Sequence, residues 1–86
     1  MLELYQSEGC PHCGTVREKL SELGVSYVVH NPRLPGDAGG DVTNEVTYDE
    51  LTAGGQDQIP HLVDTDRGVK LHESDNIVAY LDVEYE

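Results

Sequence analysis

The strongest constraint on what this chain can become is Cys10-Pro11-His12-Cys13, which holds its only two cysteines. Thiols at this spacing can close a disulfide when the first sits just ahead of a helix and the second lies one turn in, so that both sulfurs share a face. Pro11 marks that helix start, because a proline at the first helical position gives up no hydrogen bond and already has a helical φ. Cys10 then becomes the N-cap, where unpaired backbone N–H groups and the positive end of the helix dipole favour its thiolate. Three readings of the pair stand side by side. It is a redox dithiol, or it is half of a zinc or iron-sulfur site with His12, His30, His61 or His72 as completing ligands, or it is a structural disulfide. A bridge across so short a loop removes little chain entropy, and the sequence has no second CxxC and no HxxxH, so the redox reading leads.

Around the motif the hydrophobic pattern sets an element order. Leu2 to Tyr5 alternates like a strand and delivers the chain to Ser7-Glu8-Gly9. From Pro11 to Leu23 the residues Cys13, Val16, Leu20 and Leu23 recur at helical spacing, Arg17, Glu18, Lys19 and Glu22 form the solvated face, and Gly24 is the stop. Val25 to His30 is β-branched and aromatic and reads as a strand, parallel to the first with a right-handed crossover. Asn31 to Val42, with Pro32, Pro35, Gly36, Gly39 and Gly40, is expected to be a mobile loop. Thr47 and Glu50 offer a capping box for a short helix through Ala53, closed by Gly54-Gly55. Gln58 to Asp64 is a strand with Pro60 at its mouth, joined through the turn Asp64 to Gly68 to a strand over Val69 to His72. Glu73, Ser74, Asp75 and Asn76 supply N-cap candidates for a last helix whose apolar face is Ile77, Val78, Tyr80, Leu81 and Val83. His30 and His72 fall at strand ends, where exposure is the default.

At 86 residues the chain is expected to be one small domain, 1–86, burying ~60 to 65% of its unfolded surface. It has no Phe and no Trp, so Val, Leu and five Tyr must supply the core. A net charge of −12 argues against nucleic acid or an anionic membrane as partner. Its 17 acidic residues are scattered rather than gathered in a tail and Lys is scarce, which matches halophilic adaptation; an ordinary acidic protein is the plainer reading. Met1 leads straight into Leu2-Glu3-Leu4-Tyr5 without a basic or apolar leader, so a cytoplasmic location is expected. In a reducing compartment a lone CxxC is catalytic more often than structural.

The order β-α-β, loop, α-β-β-α, with the dithiol at the first βα junction, resembles the glutaredoxin family. The C-terminal half is also similar to the N-terminal domain of glutathione transferases. Three landmarks carry the resemblance: Cys10-Pro11-His12-Cys13, Ile59-Pro60 before a strand, and Glu73-Ser74-Asp75 before the last helix. It implies an α/β thioredoxin-like fold, β-α-β-α-β-β-α, with a central four-stranded mixed sheet flanked by helices. It implies a thiol-disulfide oxidoreductase in cell redox homeostasis and electron transport, acting as a monomer on disulfide-containing client proteins with no tightly bound cofactor. Glutathione or a related γ-glutamyl thiol would be its small-molecule thiol and co-substrate. Cys10 would be the nucleophile and Cys13 the resolving thiol, with Pro11 and His12 completing the catalytic motif. Pro60 would be cis and the backbone of Ile59 would pair with the bound thiol. Glu73, Ser74 and Asp75 would hold a γ-glutamyl group, where the plainer reading is capping alone. His12 is either an exposed helix residue or an imidazole adding positive charge beside Cys10, and His61, after the proline, is a further candidate to line the site.

The departures matter too. The family often carries Lys ahead of the first cysteine and Tyr inside the motif, where this chain has Ser7-Glu8-Gly9 and His12. Residues 36–58 contain no Lys or Arg, leaving Gln56, Gln58 and Arg33 to meet the glycine carboxylate of glutathione. A shorter γ-glutamyl thiol such as γ-glutamylcysteine fits that deficit.

Self-repulsion among these carboxylates is screened over ~3 Å at 1 M salt but reaches ~30 Å at 0.01 M. The melting temperature is therefore expected to rise with KCl; a melt that stays flat from dilute buffer to molar salt would remove the halophilic reading.

Overall fold

The computed structural model describes residues 1–37, 39–53 and 57–85. Strand β1 (Leu2–Tyr5) leads into helix α1 (Pro11–Leu23), strand β2 (Tyr27–His30), helix α2 (Glu45–Ala53), strands β3 (His61–Asp64) and β4 (Val69–Leu71), and helix α3 (Ser74–Glu84). The four strands form one mixed sheet in the order β2-β1-β3-β4. β1 runs parallel to β2 and antiparallel to β3, and β3 pairs antiparallel with β4. This is the element order that the hydrophobic pattern predicts. The Gly54-Gly55 stop and Gln56 lie outside the described residues.

Period-two alternation along β1 sends Leu2 and Leu4 to one face, where they meet Val16 and Leu20 of α1, Leu62 of β3, and Ile77 and Leu81 of α3. All seven are 2% exposed or less, and burying each such side chain contributes roughly 1.5–3 kcal/mol before entropy is subtracted. Partly buried Tyr80 and Tyr85 edge this core. Their hydroxyls both donate to Oδ2 of the buried Asp64, at 2.7 and 2.6 Å, and the Asp66 N–H donates to its Oδ1 at 3.2 Å. Burial opposes a charge at Asp64, but the Tyr85 and Tyr80 hydroxyls outweigh it and hold the carboxyl below its usual range. The end of the sheet remote from Cys10 is thereby tied to the last turn of α3.

A row of rings crosses the other face at the opposite end. His30 stacks on Tyr5 at 4.5 Å between centroids, Tyr5 meets His61 at 5.5 Å, and His61 stacks on His72 at 3.9 Å. The register produces the row, since Tyr5 pairs with both His30 and His61. His30 Nε2 also bonds Glu3 Oε1 at 2.7 Å, and the Tyr5 hydroxyl donates to Glu50 of α2 at 3.1 Å. The exposure expected of His30 and His72 therefore fails: both rings are half-buried, because each stacks on a neighbour across the sheet.

Other corrections have local causes. The second strand starts at Tyr27 rather than Val25, since the Val25 N–H closes the end of α1 on Leu20 O at 3.1 Å while Gly24 takes a left-handed φ of 69°. α2 is capped by Asn44, whose Oδ1 accepts from the Thr47 N–H at 3.1 Å, so Thr47 lies inside the helix. At α3 the N-cap is Glu73, without a side-chain capping bond, and Ser74, Asp75 and Asn76 are already helical. Val83 is 79% exposed and faces away from the core. β4 ends at Leu71, one residue before His72.

The Pro/Gly-rich segment expected to be mobile is strapped down. Ser7 Oγ donates to Leu34 O at 2.8 Å, the Gly36 N–H to Glu8 O at 2.9 Å, and Gln6 Nε2 to Asn31 Oδ1 at 2.6 Å. Arg33 and Val42 form an antiparallel bridge, and Pro32 is buried. Glycine and proline here exclude regular structure without excluding order.

Two stability tests follow from these contacts. Asp64→Asn is expected to cost about 1.5–3 kcal/mol in urea denaturation, since it weakens charge-assisted bonds to two hydroxyls, and Tyr80→Phe is expected to cost less. His61 is 1% exposed and burial, followed by the nearby His72, pushes its pKa down from 6.5 to about 4. A depressed histidine binds more protons unfolded than folded in that window, so stability is expected to climb as pH rises from about 4 to 6.5. Replacing His61 with Gln should flatten that segment of the stability-pH curve; an unchanged slope would refute the assignment.

Candidate active site at the start of the first helix

β1 ends at Tyr5, and residues 6–10 carry the chain from the end of this interior strand to the helix start. Gly9, at φ 83°, makes that turn, and a Cβ there would lie 3.6 Å from Gly36 N on the strapped loop. Gln6 is 1% exposed; its N–H donates to His30 O at 2.9 Å and its side-chain oxygen accepts from Arg17. These bonds fix where α1 begins.

Cys10 is the N-cap with an extended backbone, Pro11 holds the first position, and the Cys13 N–H donates to Cys10 Sγ at 3.4 Å. The sulfur thus occupies the place of a capping oxygen and receives one of the helix's unpaired donors. Both cysteines are free thiols and both are buried, Cys10 at 3% and Cys13 at 0% exposure. Burial, followed by the hydrogen bond to Cys10, pushes the Cys13 thiol up to about 12. While Cys10 is a free thiol beside it, Cys13 is therefore the member of the pair that keeps its proton.

The Ile59-Pro60 peptide bond is cis, as the family resemblance implies. Beside it opens a recess of about 220 Å³ lined by His12, Gln58, Ile59, Pro60, His72, Glu73, Ser74 and Asp75. Six of the nine residues singled out from the sequence therefore share this recess; Cys13 lies in the helix that carries His12 and Cys10 caps that helix, but neither cysteine lines the recess. Pro11 is exposed at the helix start. Gln58 Nε2 donates to Glu73 Oε1 at 3.0 Å, and His72 Nδ1 lies 3.4 Å from Gln58 O, so the segment before the cis proline is held from the α3 side. His61 does not line the recess; its Nδ1 is 3.1 Å from Leu71 O, within the ring row.

A second recess of about 340 Å³ shares His12, Gln58 and Ile59 and adds Arg33, Asp37 and Asp57. Sequence reasoning named Arg33 but neither aspartate. Asp57 holds Arg33 by both oxygens, at 3.2 and 3.0 Å, and accepts from the Tyr48 hydroxyl at 2.8 Å. The Tyr48 hydroxyl and then Arg33 outweigh burial and hold the Asp57 carboxyl below its usual range. Nothing in the sequence pattern announces this cluster, because it forms only when the 31–42 loop folds back onto Ile59. Gly39 permits that approach: a Cβ there would lie 2.6 Å from Arg33 Cδ and 3.3 Å from Ile59 Cδ1.

Among the described residues no group of three or more His, Cys, Asp or Glu side chains is placed to hold a metal ion, and no helix is long and apolar enough to cross a membrane. A zinc or iron-sulfur site would have to draw ligands from elsewhere.

The comparisons with known proteins agree with this architecture. Glutathione S-transferase 1-6 from Anopheles dirus species B matches at 30% identity and a TM-score of 0.74, over 96% of this chain and 35% of that one. A glutathione S-transferase isozyme from Drosophila melanogaster matches at 26% identity and 0.74, over 99% and 35%. A delta-class glutathione transferase from Nilaparvata lugens gives 23% and 0.75, over 99% and 36%. The chain thus spans a little over a third of the length of these structures. A search of the curated proteins found no match. The fold is the thioredoxin-like α/β fold, with the four-stranded mixed sheet and three helices that the sequence implies. The family model "Glutathione S-transferase, N-terminal domain" matches residues 4–86, and the chain belongs to that family.

Proposed function

We propose that residues 1–86 form one glutaredoxin-like domain that catalyses thiol-disulfide exchange with glutathione or a related γ-glutamyl thiol as co-substrate. The observation that carries this reading is the division of labour at the helix start: Cys10 caps α1 and accepts from the Cys13 N–H, while burial keeps Cys13 a thiol. In the first step the Cys10 thiolate attacks one sulfur of the disulfide. The S–S bond breaks, a Cys10 mixed disulfide forms, and the other half leaves as a thiolate that takes a proton from water. Cys13, or a second molecule of small thiol, then attacks the mixed disulfide and releases the remaining half. If Cys13 resolves, the two protein thiols end oxidised as a Cys10–Cys13 bridge and need an external thiol to restore them.

The glutathione S-transferases among the structural neighbours support glutathione-related chemistry. Conjugation of a thiol to an electrophile has no use for a resolving cysteine, so the second cysteine favours exchange over conjugation. In the recess, Ile59 would pair its backbone with the bound thiol beside Pro60. The α3 start, where Glu73 leaves the helix amides without a side-chain cap, would receive the γ-glutamyl carboxylate, with Ser74 beside it and Glu73 and Asp75 facing the ammonium. A cytoplasmic monomer acting on small disulfides and client proteins completes the reading.

Cys13→Ser is expected to trap a Cys10 mixed disulfide with a γ-glutamyl thiol, visible as one added mass, while Cys10→Ser abolishes exchange. Iodoacetamide at pH 6 should label Cys10 in the first variant much faster than Cys13 in the second; the reverse order would exchange the roles.

A further inference from the structure

Cys13 faces a difficulty that Cys10 does not. To resolve a mixed disulfide it must react as a thiolate, yet its residue is 0% exposed. The influences that oppose ionisation are of two kinds. Burial is permanent, whereas the hydrogen bond and charge of Cys10 end once that sulfur is tied up in a mixed disulfide; a backbone hydrogen bond from Ser7 and the charge of Arg17 act the other way.

The position of Arg17 is itself unexpected. Its place beside Glu18, Lys19 and Glu22 in the sequence suits a solvated face, but its side chain is only 31% exposed. It turns toward the loop ahead of α1, where Nη1 donates to the Gln6 side-chain oxygen. The amide nitrogen of Gln6 is taken by Asn31 at 2.6 Å and Glu8 at 2.7 Å, which leaves its oxygen for the guanidinium. Four residues after Cys13, Arg17 stands one turn on along the same helix face. Its Nη2 lies 3.6 Å from where a Cβ on Gly14 would be, so the cation packs beside the residue that follows the buried thiol. Lys19, the other Lys or Arg of α1, is committed to Asp82 and Glu22 at 2.8 and 3.3 Å.

We infer that Arg17 is a positioning residue for the resolving step: anchored on Gln6, its guanidinium is the fixed positive charge that lets Cys13 react as a thiolate after Cys10 has formed the mixed disulfide. The inference rests on the exchange reading above and names what its second step requires. Cys13 gives its proton to water and its sulfur attacks Cys10 Sγ. The bond from Cys10 to the small thiol breaks, and that thiol leaves with the electron pair and takes a proton from water, so the two protein sulfurs end as a bridge. Glu8 Oε2, 3.5 Å from Arg17 Nη1, is the carboxylate that opposes this charge, and its exposed side chain is screened by water.

Stopped-flow reaction of the reduced chain with 4,4′-dithiodipyridine separates the two steps. The first thiopyridone released reports attack by Cys10, at a rate that scales with the probe; the second reports resolution by Cys13, at a rate that does not. Losing a nearby cation makes a thiol harder to ionise, and each tenfold loss of thiolate is offset by roughly a threefold gain in nucleophilicity. Arg17→Met is therefore expected to slow the second phase about threefold or more near neutral pH, and the first phase less. The slowing should narrow as pH rises, because the cation acts by populating the thiolate, and Arg17→Lys should restore most of the rate. An unchanged second phase in Arg17→Met, equal slowing of both phases at every pH, or no recovery with lysine would overturn the role. Should Arg17→Met fail to fold, Glu8→Gln decides: it removes the opposing charge from an exposed side chain and is expected to speed the second phase relative to the first. No such gain would overturn the role. Release of a single thiopyridone by the unsubstituted chain would instead overturn Cys13 as the resolving thiol, and with it the exchange reading.

Discussion

The cleft depends first on β1 being hydrogen-bonded along both edges. Pairing with β2 on one side and β3 on the other fixes the register at Tyr5, so His30, Tyr5 and His61 lie side by side and the chain leaves the sheet from its centre. Slipping that strand by one residue would send Leu2 and Leu4 out of the core and Glu3 into it, so the register is well specified. From there the position of Cys10 follows within a few bonds: the Gln6 N–H to His30 O, the turn at Gly9, and Pro11 starting the helix.

The two ends of the sheet are secured by different physics. Remote from the site, the buried carboxylate of Asp64 gathers two tyrosine hydroxyls and a backbone N–H, a charged group tolerated because its lone pairs are satisfied. At the site end, stacked rings take the place of large aliphatic side chains in a chain without Phe or Trp. Ring pairs of this kind contribute about 0.5–1.5 kcal/mol beyond area burial, and they place His72 between the sheet and the cleft.

The two cysteines lie one turn apart in different surroundings. Cys10 Sγ accepts from the Cys13 N–H at the helix start, whereas the sulfur of Cys13 is desolvated against the core and faces another sulfur. The acidity of the chain reaches into the cleft as well, where the single arginine is matched by an aspartate from beyond α2. A site built this way differs from one that meets a carboxylate with free cations.

Much of the fold was legible in the sequence because its signals are local. Helical spacing of Cys13, Val16 and Leu20, alternation in Leu2 to Tyr5, proline at the first helical position and glycine after Leu23 each constrain a few neighbouring residues. They place every element, but β3 starts at His61, three residues after the expected Gln58, and the cap of α2 is Asn44, three residues before the expected Thr47. The recess before α3 was legible by resemblance, through Ile59-Pro60 and Glu73-Ser74-Asp75. What the sequence could not reveal were contacts between residues far apart in the chain. The ring row spans positions 5 to 72, the Arg33-Asp57 pair joins a loop to the segment before the cis proline, and the order of the Pro/Gly-rich loop comes from bonds to Ser7, Glu8 and Gln6. Composition determined that the described residues of 31–42 form neither helix nor named strand. Only the tertiary structure decided that Ser7, Glu8 and Gln6 would hold the loop and that Arg33 would meet Asp57, because hydrogen bonding and charge pairing depend on distance in space and not on spacing along the chain.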